Sequence, residues 1–117
     1  MKQDKEGEWL DSLDAACAAP DSHKIMFEND RVRVLEVIIP AGHKEPWHTH
    51  RRSSLMLIDA SAGIRYFYAE DNFYESPRKS NESGLPRIEW LPPEGIHSVE
   101  NVDDLPYHAI RIELKDD

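Results

Sequence analysis

The chain has 117 residues, with 23 acids against 14 lysines and arginines and a net charge of −9. That length bounds it to one domain, and the acid excess argues against nucleic acid, whose binding needs basic residues to neutralise phosphates, and against anionic membranes. A mean hydropathy of −0.67 implies a thin core, a large polar surface or both.

In chain order, residues 6–19 read as a short helix, because Trp9, Leu13 and Cys17 recur at i, i+4 and i+8 and Pro20 ends the segment. We therefore expect an N-terminal helical extension over 1–22 and one domain over 23–117. From His23 the pattern changes to strands. Ile25–Glu28 and Val32–Ile39 are rich in apolar and β-branched residues, with Asn29-Asp30 as the hairpin turn between them. The apolar phase switches near Val34-Leu35, which implies a bulge or burial on both faces. Pro40-Ala41-Gly42 breaks the second strand. Trp47–His50, Leu55–Ile58 and Ile64–Tyr68 follow as strands, with Phe73-Tyr74 a short return strand. Residues 76–87 are polar, with two prolines and a glycine, and are expected to form a mobile loop. Ile88–Leu91, His97–Val102 and Tyr107–Leu114 complete a set of short strands typical of an all-β sandwich or barrel.

One cysteine, Cys17, excludes an intramolecular disulfide. No apolar run approaches the ~20 residues of a membrane span, and MKQDKEGEW lacks the apolar stretch of a signal peptide. A soluble cytoplasmic protein is the expectation.

The chemistry sits in histidines. His48 and His50 are two apart, so one strand presents both imidazoles on one face. A second strand carrying His97 can supply a third, and imidazole suits zinc, copper, iron and nickel.

These segments resemble the two motifs of the cupins. Gly42, five residues, then His48-Thr49-His50 is similar to the first; Pro92, His97 and Asn101 are similar to the second, with Glu94 in the place of that motif's usual glycine. The resemblance covers about residues 24–114. It implies an all-β double-stranded β-helix, or jelly roll, with the site inside the barrel, and it implies a homodimer. Family members usually bind metal through His, His, Glu and His. Here Ser54 stands where the carboxylate is expected, so the resemblance carries over His48, His50 and His97 and no fourth ligand. Three neutral imidazoles leave a divalent ion with its full charge, a site that favours an anionic ligand. Three protein ligands and an open position are the pattern of catalytic zinc.

Among the remaining candidates, alternation places His108 with Ile110, Ile112 and Leu114 on an apolar face, either a core histidine or a group aimed into the barrel. Arg111 then falls on the opposite face and reads as surface. Tyr66 and Tyr68 share a face with Ile64 and line a substrate pocket or pack the barrel. Ser54 holds a water or makes room. Arg51-Arg52 is a solvated pair or steers anions; His43 is solvated, and His23, near a turn, is uninformative. No nucleophile–base pair, phosphate-binding glycine loop, CxxC or HExxH is present.

The expectation is thus a cupin holding one divalent transition metal (iron, zinc, nickel, copper or manganese) through His48, His50 and His97, and acting on a small molecule. Oxygenation at a three-histidine iron is the first candidate, with isomerisation also open. The alternative is a binding or sensing cupin without turnover, with or without metal.

Overall fold

The computed structural model describes residues 9–79 and 86–115. Among the described residues nine strands follow a short helical segment: β1 (His23–Glu28), β2 (Val32–Ile39), β3 (His48–His50), β4 (Ser54–Ala60), β5 (Ile64–Ala69), β6 (Asn72–Ser76), β7 (Arg87–Leu91), β8 (Glu94–Asn101) and β9 (Tyr107–Leu114). They form two antiparallel sheets, one ordered β1-β2-β9-β4-β7 and the other β3-β8-β5-β6. This is the all-β jelly roll expected. Each strand lies within a few residues of its sequence-based span, because β-branched runs and turn residues coincide at almost every boundary. The loop expected over 76–87 joins β6 to β7, and its residues 80–85 lie outside the described residues.

The N-terminal segment departs from expectation. A 3-10 turn at Asp11–Leu13 and a single-turn helix α1 (Ala15–Ala18) replace one continuous helix over 6–19, of which residues 6–8 lie outside the described residues. Asp14 is extended, with ψ of 142°, and its side chain accepts from the Ala16 amide to cap α1. That break destroys the i, i+4, i+8 register. Ala15 and Ala19 are buried, while Cys17 is exposed. Asp14 also bridges to Thr49 of β3, so the segment sits against the strand that carries the histidine pair.

The apolar switch in β2 is not a bulge of that strand, which pairs with β9 in unbroken register and carries Val32 and Val34 on its outer face; the bulge lies in β1. Ile25 pairs with Leu35 but Phe27 pairs with Val34, leaving Met26 as a bulge. Leu35, Val37 and Ile39 then face inward, and Val37, Met56, Ile58 and Ala109 form a small core with Leu91 and Tyr107 packed on it. A core this thin accords with the low hydropathy. Gly42 turns the chain out of β2 with φ of 78°, a conformation that penalises a side chain, and its amide donates to the Asn101 carbonyl. The buried Asn101 closes the same end. Its Nδ2 donates to the Ile39 and Leu105 carbonyls, and its Oδ1 accepts from the Asp103 amide. No helix among the described residues is long and apolar enough to cross a membrane.

Candidate metal centre

β3 is only three residues long, and all three are buried. His48 pairs with His97, and His50 pairs with Glu94. Two residues separate on β3 what three separate on β8, so β8 carries a bulge at Gly95-Ile96. Glu94 and His97 are three apart and would face opposite sides of a regular strand. The bulge resets the parity and turns both toward the interior.

Four histidines gather there, one more than the sequence suggested. Ring centroids lie 4.3 Å apart for His48–His97, 5.2 Å for His48–His50 and 5.6 Å for His50–His97. His23, at the start of β1, is 4.7 Å from His48 and 5.1 Å from His50. Ligand atoms of His23, His48 and His50 lie within 4.8 Å of one another, as do those of His50, Glu94 and His97. His23 belongs to neither motif, and only its pairing opposite Val37 brings it inside.

Each ring has its Nδ1 tied outward. His48 Nδ1 donates to the Pro46 carbonyl at 2.8 Å, and His97 Nδ1 to the Gly95 carbonyl at 2.7 Å. His50 Nδ1 donates to Glu113 at 3.1 Å. His23 Nδ1 lies 3.3 Å from the Ala19 carbonyl, which can only accept, and 2.9 Å from Ser22 Oγ. A carbonyl or carboxylate on Nδ1 fixes the tautomer and leaves Nε2 as the lone pair, the arrangement found around metal-bound imidazoles. Among the described residues, His48 Nε2 is the one buried side-chain nitrogen or oxygen with no hydrogen-bond partner. An orphaned buried acceptor costs about 1–3 kcal/mol, and a metal ion would satisfy it. Two donor groups fit such an ion, His23–His48–His50 and His50–Glu94–His97, with His50 common to both.

Electrostatics keep the rings neutral. Burial lowers His48 to about 4, with the neighbouring His97 adding to the effect. Burial also drives His50 and His23 well below the usual value and lowers His97. Glu45, whose Oε1 is 3.6 Å from His48 Nε2, is pushed up by burial to about 8, although Ser22 Oγ donates to it at 2.7 Å. Burial pushes Glu94 up as well, but the charge of Arg111, the neighbouring His97 and hydrogen bonds from Arg111 and Tyr66 hold it below the carboxylate norm.

Several expected placements change. His108 does not enter the barrel. It faces out from β9, with Nδ1 on Asp59 at 2.5 Å and Nε2 on Glu36 at 2.8 Å. Arg111, expected on the surface, is the residue that points in; its side chain is 4% exposed. The inner face of β9 is Tyr107, Ala109, Arg111 and Glu113, while the outer face is the more apolar one. The hydrophobic rule inverts because the barrel interior is a polar site. Tyr66 lines the cavity, stacked on His97 at 4.9 Å and donating to Glu94 at 2.8 Å. Tyr68 does not: its partner strand skips it, pairing Phe67 with Phe73 and Ala69 with Asn72, and it is 54% exposed beyond the cavity. Tyr74 takes the place beside Tyr66, at 5.1 Å. Ser54 is fully buried and accepts from Arg111 Nε at 3.0 Å, so it makes room for a guanidinium.

The histidines and these side chains surround a cavity of about 200 Å³. No protein-family model and no curated protein matches the sequence. Solved structures do. A cupin domain from Bordetella pertussis Tohama I superposes with a TM-score of 0.66 at 20% identity, over 80% of this chain and 92% of that one. An RmlC-like cupin with a double-stranded β-helix fold from Methanocaldococcus jannaschii gives 0.57 at 10% identity, over 79% and 77%. A protein with a double-stranded β-helix domain from Klebsiella pneumoniae gives 0.56 at 13%, over 80% and 75%. The chain has the fold of a small cupin, with four histidines gathered inside its barrel.

Proposed function

We propose that this protein binds one divalent transition metal through His48, His50 and His97, with His23 completing the set, and that it is a metal-dependent enzyme acting on a small molecule. The observation that carries the reading is the set of four buried imidazoles, each with Nδ1 tied outward and one with an orphaned Nε2. A bound ion would supply Lewis acidity and open coordination positions for a small ligand. The protein's own part is to hold the rings in one tautomer, to exclude bulk water and to shape the cavity with the Tyr66–Tyr74 wall. Four imidazoles carry no charge, and Glu94, with ligand atoms within 4.8 Å of those of His50 and His97, is the carboxylate placed to offset part of the ion's charge. Oxygenase-like chemistry remains the first candidate reaction.

One observation favours a second reading, a non-catalytic binding or sensing cupin. Glu94, Arg111 and Tyr66 satisfy one another without an ion, which is how a polar ligand pocket is built.

Elemental analysis of protein purified without a histidine tag and supplied with several divalent metals tests the first reading. Wild type should retain about one metal per chain, against none in His48→Ala/His50→Ala. Equal retention in both would end the metal reading. Oxygen uptake by the iron-loaded protein with thiols, diketones and hydroxy acids then separates the readings, since silence across that panel moves the case to a binding module.

A further inference from the structure

Arg111 lies on the inner face of β9, opposite Leu35 and Met56 in the sheet. Its Nε donates to Ser54 Oγ at 3.0 Å and its Nη2 to Glu94 Oε1 at 2.7 Å. A guanidinium has five N–H donors in a planar fork. Neither bond uses Nη1, and since the side chain lines the cavity and Nη1 is not among the sealed unpartnered atoms, that nitrogen opens on the cavity. Tyr107, four residues back on the same face, lines the cavity too, and its hydroxyl has no hydrogen-bond partner among the described residues.

Arg111 is paired with Glu94, and Glu45 and Glu89 line the same cavity. What recognises an anion here is therefore the open end of the guanidinium fork, not the net charge of the barrel. Where family members place a carboxylate, this chain has Ser54 with a guanidinium against it. The cavity also limits size. A cavity of about 200 Å³ suits a small organic molecule.

We propose that the cavity takes a small organic carboxylate, whose oxygens accept from Arg111 Nη1 and the Tyr107 hydroxyl while its other end lies toward the histidines. The inference rests on the metal-binding reading only for what the far end of the ligand meets, and on Arg111 for its choice of carboxylate.

Calorimetric titration of zinc-loaded and metal-free protein with propionate, benzoate and the matching uncharged amides is the test, with bound zinc measured in the same samples. Carboxylates should bind at least about tenfold more tightly than their amides. Arg111→Gln should weaken the carboxylates by about tenfold to a hundredfold, the worth of a hydrogen bond to a charged group. Should Arg111→Gln fail to fold, Arg111→Lys keeps the charge but loses the fork, and a severalfold loss is expected. Amides that bind as well as carboxylates, or affinity unchanged by the arginine substitutions, would overturn the proposal. The zinc measurement reports separately on the metal reading. In protein that takes up no metal, a carboxylate preference that disappears with Arg111 still supports the anion site, and the absence of any preference sinks it.

Discussion

Arg111 Nε donates to Ser54 Oγ at 3.0 Å across the β4–β9 pairing, and both side chains are buried. Ser54 is the position where the cupin pattern leads one to expect a metal-binding carboxylate. The barrel therefore does not simply lack an acid there; it holds a base. Glu94, on the opposite sheet, supplies the carboxylate that keeps that base neutralised. The bulge in β8 is what allows Glu94 and His97 to share the interior.

His23 is predicted to be a ligand and not a packing residue. His23→Ala should weaken zinc binding by about tenfold to a hundredfold, the loss produced even by outer partners of metal ligands. Competition with a chromophoric chelator measures it. Affinity equal to wild type would remove His23 from the site.

The ion-pair chain behind the site should be structural. Glu113 is 2% exposed and contacts both His50 Nδ1, at 3.1 Å, and Arg33 Nε, at 2.7 Å; Arg33 in turn pairs with Asp14. Arg33→Met leaves Glu113 buried without its cation, which should cost about 3–5 kcal/mol. Urea unfolding reads the loss, and a change below about 1 kcal/mol would show that water reaches Glu113.

His108 should make stability depend on pH. Hydrogen bonds to Asp59 and Glu36 raise its pKa above the usual value. The stabilisation is therefore fully present below the unfolded value of about 6.5 and is lost as pH rises through the raised folded value. Since the side chain is 28% exposed, His108→Gln should cost only about 0.5–1 kcal/mol at pH 5.5, and less at pH 9. An equal cost at both would assign the effect to packing.

The homodimer expected from the cupin resemblance would bury the outer face of the five-stranded sheet. Register places Phe27, Val34, Ile112, Leu55 and Trp90 in one row across all five strands. Trp90 is 57% exposed and Ile88 is 65% exposed. A stable interface takes about 800 Å² from each partner, which is most of such a sheet face. Sedimentation should show wild type as a dimer and Trp90→Glu as largely monomer. Wild type that stays monomeric at high concentration would end that expectation.

The sequence by itself determined the strands, the jelly roll and the three motif histidines. Strand periodicity and turn residues are local properties, and His48-x-His50 shares a face in any strand. Only the tertiary structure decided what stands around those histidines. His23 enters because β1 pairs with β2 in one register. Glu94 enters because a bulge changes its parity. Arg111 and His108 exchange their expected sides because alternation reveals that two faces differ, not which one is inside. A barrel that encloses a polar site and exposes an apolar sheet inverts the usual rule, and burial on one side of a strand is a property of the assembled sheets.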